Sequence, residues 1–383
     1  MKISPFLTEE HEALRVRVRA FAESEIRPVA AELDEGEVFS APLTKRMGEM
    51  GFFGVQVPKE YGGHGLDTLS YIIIVEELAR IDSSQAATVA AVNSLGIGPI
   101  MKYGTEGQKR KFIPPLCTGE HIWAFGLTEE NAGSDAMGSE TTAVLEDGHW
   151  VINGSKSHIT NASSDISGGV TLQAVTALED GRKRLSTILV EKGTPGYTTE
   201  RMLGKMMWRA SDTGRLYFKD CRVPAENLLG ERGQGGRIML NTLDSGRLSI
   251  AATGLGLARG AFEAAVSHAK KRQQFGQPIA KFQAVAFKLA DMDMKIELAR
   301  NMLYMACWKK DNNQQFARES AMAKLYASEI AREVADEAVQ VLGARGLFKP
   351  NEVERFYRDQ RLLQIGEGTS EILRMVISRY LGL

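Results

Sequence analysis

Apolar residues recur every three or four positions in the first third of this chain, every second position in the middle third, and every three or four again in the last. That change of period constrains the fold most, because spacing near 3.6 builds helices and spacing of 2 builds strands. Early on, "EEHEALRVRVRAFAESEI" and "DTLSYIIIVEELARI" are amphipathic, and "DSSQAATVAAVNSLGI" is a small-residue helix with Asp82 and Ser83 as possible N-caps. Pro/Gly punctuation such as "VPKEYGGHG" separates them. In the middle, "TTAVLEDGHWVINGSK" alternates on both sides of Asp147-Gly148, a hairpin signal, and "GVTLQAVTAL", "RLSTILVEKG" and "GRLYFKDCRVP" continue as strands. Late in the chain, Val285, Leu289, Met292, Ile296, Ala299 and Leu303 form one helical stripe, and Ala327, Ile330, Val334, Ala338 and Val341 another. "AATGLGLARGAFEAAVSHAKKRQQF" is a long helix whose Gly254, Gly256 and Gly260 allow close helix contact. The expected fold is α+β: an N-terminal helical domain (1–122), a middle β-domain (123–232) and a C-terminal helical bundle (233–383). "GLGLARG" has Gly-x-Gly-x-x-x-Gly spacing inside a helical pattern, so a dinucleotide fingerprint at a strand-to-helix turn is excluded.

Composition removes several function classes. Of 383 residues, 47 are basic and 48 acidic, a net charge of −1, which argues against nucleic acid or an anionic membrane as the main partner. Cys117, Cys221 and Cys307 are scattered, without disulfide or zinc spacing, as suits a reducing compartment. The six histidines are dispersed and no metal-ligand cluster is visible. No apolar run approaches the roughly 20 residues that span a bilayer. The first 28 residues carry five glutamates and neither a signal-peptide core nor a transit-peptide composition, so a bacterial cytoplasm is expected. Nucleophile-elbow and Walker motifs are absent.

Near the C-terminus, "IGEGTSEIL" places Glu367 between two glycines, with Thr369 and Ser370 poised to start a helix. Taken alone it reads as an ordinary surface acid. Three other stretches change that: "AFGLTEENAGSD" (124–135), "WVINGSKSHITNAS" (150–163) and "AKKRQQFGQPIAKFQ" (269–283). With "QVLGARGLFKP…RDQRLLQIGEGTSEILR" (340–374), their order and spacing resemble the acyl-CoA dehydrogenase family of flavoproteins over essentially the whole chain.

The resemblance implies a helical domain, a β-domain and a four-helix bundle, with FAD between the last two. It implies α,β-dehydrogenation of an acyl-CoA thioester, with Glu367 as the base that removes the α-proton while the β-hydrogen leaves as hydride to flavin N5. Such chemistry needs a carboxylate whose pKa rises when water is expelled, and donors that hold the developing enolate oxygen. The implied donors are the Glu367 N–H and a ribityl hydroxyl of FAD. Thr128 matches the position at the pyrimidine end of the flavin, Thr160 the one near N5, and Ser134 one touching both FAD and substrate. Arg272, Gln274 and Phe275 match positions reaching the FAD of a neighbouring subunit, and Gln340, Gly343 and Ala344 a dinucleotide-binding turn. Phe125, Leu127, His158, Gln283, Thr369 and Glu371 complete the implied cofactor set. For the substrate the implied residues are Asp244, Arg247, Gly366, Gly368, Ala90 and Ala91. A homo-oligomer, mostly a tetramer in the family, and electron-transfer flavoprotein as acceptor follow from the same likeness.

Two positions depart from the family pattern. Gly366 replaces an aromatic before the base, and with Ala90 and Ala91 it leads us to expect a wide pocket and a branched or alicyclic acyl group, with a linear short or medium chain as the alternative. His158 replaces an aromatic at the flavin edge. "AATVAAVNSLG" offers no arginine for a distal carboxylate, which disfavours a diacid. An enoyl-CoA reductase running in reverse would use the same residues. A nucleic-acid-binding relative would need a basic face, and the pI near 6.6 argues against one.

Overall fold

The computed structural model describes residues 6–383, so the first five residues of the expected N-terminal domain lie outside the described ones. Helices open the chain: α1 Glu9–Phe21, α2 Arg27–Glu35, α3 Ala41–Glu49, α4 Thr68–Ala79, α5 Ser83–Ala91, α6 Gly98–Tyr103 and α7 Glu106–Cys117. Thr8, Asp67, Asp82 and Thr105 cap α1, α4, α5 and α7, each side chain accepting a backbone N–H of the first turn. Between α5 and α6 residues 92–97 are π-helical. There Asn93 Nδ2 donates to the Val89 and Phe52 carbonyls and Ser94 Oγ to that of Ala90. Side chains that compete for helix carbonyls loosen the regular ladder.

The middle of the chain is one sheet: β1 Ile122–Gly126, β2 Thr142–Glu146, β3 His149–Thr160, β4 Ser167–Glu179, β5 Arg182–Glu191, β6 Tyr197–Arg201, β7 Thr213–Pro224 and β8 Leu228–Leu229. Its order is β6-β7-β3-β2-β4-β5-β8, with β1 parallel beside β4. The expected hairpin is present: Asp147 (φ 47°) and Gly148 (φ 74°) turn the chain and pair Glu146 with His149.

Helices return with α8 Gly235–Lys271, α9 Gln283–Asp311, α10 Ala317–Leu342, α11 Glu352–Asp359 and α12 Ser370–Arg379, and the short hairpin β9 Gln273–Gln274 and β10 Gln277–Pro278 joins α8 to α9. α10 touches α8, α9 and α12, completing the bundle. α8 begins at Gly235, well before the expected start at Ala251. "LDSGRLS" looks like a helix terminus because of its Gly and Ser, yet burial of Leu248 and an Arg247–Asp244 ion pair one turn apart keep it helical. The glycine prediction holds: a Cβ at Gly256 would stand 2.2 Å from the Glu76 carbonyl oxygen of α4, one at Gly260 2.2 Å from that of Arg80, which caps α4, and one at Gly254 3.0 Å from that of Ala327 in α10.

The N-terminal helices and the bundle share one hydrophobic core, while the sheet has its own around Trp150, Ile152, Leu216 and Phe218. Inside the shared core, Arg259 of α8 reaches Glu76 (2.6 Å) and Glu77 (2.8 Å) of α4, Tyr304 of α9 donates to Glu76 (2.7 Å), and Arg15 of α1 donates to Tyr304 (2.8 Å). Burial alone would raise the Glu76 carboxyl, but Arg259, Arg300 and Arg15 override it and hold it far below the usual range. No helix among the described residues is long and apolar enough to cross a membrane, and no group of His, Cys, Asp or Glu among them is placed to hold a metal.

Candidate active site

Glu367 stands on the turn between the short helix at residues 360–364 and α12. Its φ is 53° and that of Gly368 is 101°. Left-handed backbone costs a side-chain-bearing residue about 1–2 kcal/mol, so a glutamate there is held by its surroundings. Thr369 then caps α12, its Oγ1 accepting the Ile372 N–H at 3.3 Å, and Glu371 lies in the first turn.

The carboxylate leans on α8. A Cβ at Gly246 would stand 1.9 Å from Glu367 Oε2, so glycine is the residue that leaves it room. Oε2 is buried and accepts no hydrogen bond, and among the described residues the Glu367 N–H meets no acceptor. Burial pushes the carboxyl up to about 7, against the opposing pull of Lys324 and Arg247. Lys324 is itself fully buried in α10 and donates to the Gly368 carbonyl at 2.6 Å. Burial brings its ammonium down to about 8, with Glu367 resisting. A cavity of about 350 Å³ lies between α4, the π-helical stretch and α8, with Tyr71, Ser94, Asp244 and Ser245 in its wall. Ala90 and Ala91 are buried but do not line it; the Ala90 carbonyl accepts the Tyr71 hydroxyl at 2.9 Å.

The β-domain meets the same face of α8. Phe125 and Leu127, at the end of β1, form an apolar cluster with Met239 and partly buried Leu95, Ala136 and Leu243. Met239, Leu243 and Gly246 follow one another at helical spacing, so the β1 end and Glu367 border one stripe of α8. Thr128 is held from behind: its carbonyl accepts the Ser157 N–H at 3.0 Å. Lys156, buried beneath, donates to the Leu127 carbonyl (3.1 Å), Glu129 Oε1 (2.7 Å) and Ser139 Oγ (2.8 Å). Burial opposes ionisation of Glu129, yet Lys156, the Glu140 N–H and the Ser139 hydroxyl, both of which donate to its carboxylate, bring it down to about 2. His158 is exposed with φ 60°, on a bulge where Ser157 and His158 stand opposite Arg215 alone. A bulge re-aims a side chain away from the regular alternation. Thr128 and Thr160 are half-buried and Ser134 is exposed. The Thr128 and Thr160 hydroxyls as donors, the apolar wall at Phe125 and Leu127, and a carboxylate oxygen left as a free acceptor among the described residues are a set of groups that fits a flavin ring.

A second group of expected residues lies elsewhere. Arg272 follows Gly246 by 26 residues, about 39 Å along the helix at about 1.5 Å per residue. Arg272, Gln274, Phe275 and Gln283 are exposed around the β9–β10 hairpin, Phe275 almost completely at 93%. Gln340, in the last turn of α10, and Gly343 and Ala344, just after it, are exposed. Arg345 and Arg272 both act on His268, whose imidazole is lowered by burial and by these two charges, so the two segments share one end of the molecule.

Three family models cover nearly the whole chain: the acyl-CoA dehydrogenase N-terminal domain at residues 8–120, the middle domain at 124–221 and the C-terminal domain at 233–382. The chain belongs to the acyl-CoA dehydrogenase family. It is 45% identical to a short-chain-specific acyl-CoA dehydrogenase of Clostridium acetobutylicum over 97% of this chain and 98% of that one. Among solved structures it resembles butyryl-CoA dehydrogenase from Megasphaera elsdenii (TM-score 0.95, 41% identity, 98% and 99% of the two chains). It equally resembles a chain in a structure described as electron transferring flavoprotein of Acidaminococcus fermentans (TM-score 0.95, 43% identity, 98% of each chain). A Bacillus anthracis acyl-CoA dehydrogenase complexed with FAD has a TM-score of 0.92 and 35% identity over 98% of this chain and 67% of that one. The protein is an acyl-CoA dehydrogenase, an oxidoreductase acting on CH–CH donors, with FAD as cofactor.

Sequence reasoning overlooked Gly246, Tyr71, Lys156 and Lys324 in this acyl-CoA dehydrogenase. Two of them carried a signal. Lys324 stands in register with Ala321, Ala327 and Ala331 on the buried side of α10, and Lys156 shares the parity of Trp150 and Ile152 on β3. A lysine inside an apolar stripe is rare without a reason.

Proposed function

We propose that Glu367 is the base that takes the α-proton of a short, linear acyl-CoA thioester. The observation that carries this reading is the carboxylate itself: buried, resting on Gly246, with an oxygen no protein donor satisfies and an acidity near neutrality. A base works best when its pKa lies near the working pH. The Glu367 N–H, which meets no acceptor among the described residues, is the donor assigned to the thioester oxygen as negative charge develops there. The apolar cluster at Phe125, Leu127 and Met239 keeps water from the reacting carbons. FAD, when bound, supplies the acceptor for the β-hydrogen. Phe125, Leu127, Thr128, Ser134, His158, Thr160, Thr369 and Glu371 are assigned to it from this subunit, and Asp244, Arg247, Gly366 and Gly368 to the substrate.

The short linear group is favoured over a branched or alicyclic one because the relatives are named short-chain and butyryl-CoA dehydrogenases. Gly366 keeps the wider expectation testable: the nearest atoms a Cβ there would meet belong to Leu362, at 3.6 Å, an ordinary contact. Arg272, Gln274, Phe275, Gln283, Gln340, Gly343 and Ala344 are assigned to the cofactor of a neighbouring copy. Their distance from Gly246 supports a homo-oligomer, as does the exposed outer stripe Phe287, Met294, Leu298 and Met305 on α9. Electron-transfer flavoprotein is the proposed acceptor, supported by the Acidaminococcus neighbour, and buried free cysteines suit a cytoplasmic setting. A carboxyl titrating near 7 also serves the reductive direction, where it returns the proton.

Anaerobic titration of the flavoprotein with linear, branched and cyclic acyl-CoAs tests the reading. Butyryl-CoA is expected to bleach the flavin band fastest, and Glu367→Gln to bind without bleaching. Bleaching by that variant overturns the assignment of the base, and a clear preference for a cyclic thioester overturns the substrate.

A further inference from the structure

Helix α10 grips the segment that carries the base at several points. Ser328 Oγ donates to the Leu363 carbonyl at 2.8 Å, and Gln364 Nε2 donates to the Ser328 carbonyl at 2.7 Å. Ser370 Oγ donates to Glu329 Oε1 at 2.6 Å. Between these lies Lys324, whose Nζ donates to the Gly368 carbonyl at 2.6 Å. It is fully buried, and among the described residues it forms no ion pair within 4 Å. A buried ammonium is costly unless something answers its charge. The nearest groups able to do so are Glu367 ahead of it and Glu329 and Glu371 beside it, with Arg247 opposing.

We propose that Lys324 is a positioning residue for catalysis: its hold on the Gly368 carbonyl fixes Glu367 in the left-handed turn, and its charge sets the proton affinity of the base. This rests on the reading of Glu367 as the base. The geometry supplies two reasons. First, Glu367 has a positive φ, which a side-chain-bearing residue adopts at a cost, so the turn needs an external tie, and a charged donor holds the next carbonyl. That tie keeps the Glu367 N–H pointing away from internal acceptors and the carboxylate against Gly246. Second, the charges facing the carboxylate come from three helices: Lys324 on α10, Arg247 on α8 and, as a phenol, Tyr71 on α4. Arg247 is already paired with Asp244 at 2.7 Å, so Lys324 is the cation left to favour the ionised base.

The test compares flavin-loaded Lys324→Met, Lys324→Arg and Glu367→Gln with the parent enzyme, using butyryl-CoA as the probe. Lys324→Met removes donor and charge while filling nearly the same volume. It is expected to keep KM within about threefold and to lose about 10- to 100-fold in kcat, the scale of a misplaced catalytic group. The acidic limb of its kcat–pH profile is expected to move up by about one pH unit. Lys324→Arg is expected to restore part of both. Parent-like kcat and pH limb in Lys324→Met overturn the proposal, and so does a loss shared equally by Met and Arg with the limb unmoved, which is the signature of damaged packing. If Lys324→Met does not load flavin, Lys324→Gln carries the same test, and an unmoved limb there also overturns it. Glu367→Gln separates the two readings: if it still reduces flavin, the base assignment fails whatever Lys324 does.

Discussion

Replacing the base should make the protein more stable, and only at neutral to alkaline pH. In the folded state burial pushes the Glu367 carboxyl up to about 7, while an unperturbed glutamate titrates at 4.5. Between those values the folded chain holds a proton that the unfolded chain has released. Stability therefore falls as pH rises from 4.5 towards 7 and levels off above it. At about 1.4 kcal/mol per pH unit, the ionised carboxylate costs the fold about 3 kcal/mol at pH 8. Glutamine has nearly the same shape and no such titration. Glu367→Gln is thus expected to gain up to about 3 kcal/mol at pH 8 and almost nothing at pH 5. For 383 residues the unfolding entropy is about 0.8 kcal/mol per degree, so the gain corresponds to a Tm rise of about 4 °C. The assay is thermal unfolding of substrate-free holoenzyme at pH 5 and pH 8, followed by circular dichroism with flavin content matched. Equal Tm changes at the two pH values, or a loss confined to pH 8, would refute the claim that a buried, poorly solvated carboxylate sits there.

Other substitutions probe the rest of the site. Gly246→Ala puts a carbon where Glu367 Oε2 now lies 1.9 Å away, so the carboxylate must move; flavin binding should survive while kcat falls by about 100-fold in steady-state turnover. Glu76→Ala leaves the buried Tyr304 hydroxyl without its carboxylate acceptor and Arg259 and Arg15 to share Glu77, and should cost about 3–5 kcal/mol in urea unfolding. Lys156→Met leaves Glu129 buried without its ammonium behind the Leu127–Thr128 turn, and its flavin dissociation constant, measured by fluorescence, should rise at least tenfold. Phe275→Ala is expected to weaken assembly or flavin retention in a dilution series followed by light scattering, since its exposed ring has little to lose within one subunit.

What the sequence made legible was whatever depends on local spacing. The period changes placed the helices and strands, Asp147-Gly148 announced its hairpin, and Asp82 and Thr369 announced their helices. The α8 start was hidden because Asp244, Ser245 and Gly246 imitate a terminus, while burial of Leu248 and the Arg247–Asp244 ion pair keep them helical. Glu367 was legible through distant motifs, but its left-handed backbone and its seat on Gly246 are tertiary facts with no local signature. The same holds for the bulge that turns His158 outward. Lys324 was readable in principle, as a charge where its stripe calls for alanine.

The common core of the first and last thirds also bears on how the chain is made. Gly256 closes on the Glu76 carbonyl, a partner synthesised 180 residues earlier. At roughly 5–20 residues per second, α4 waits about 10–40 s on the ribosome before α8 emerges to cover it. In α4, Leu69, Ile72, Ile73, Ile74, Val75 and Leu78 are buried in the finished protein; α1 and α5 cover part of that surface, but the part that meets α8 stays open while the whole sheet is translated and folds on its own core. A chaperone that shields the first hundred residues during synthesis is therefore expected to raise the yield of folded enzyme.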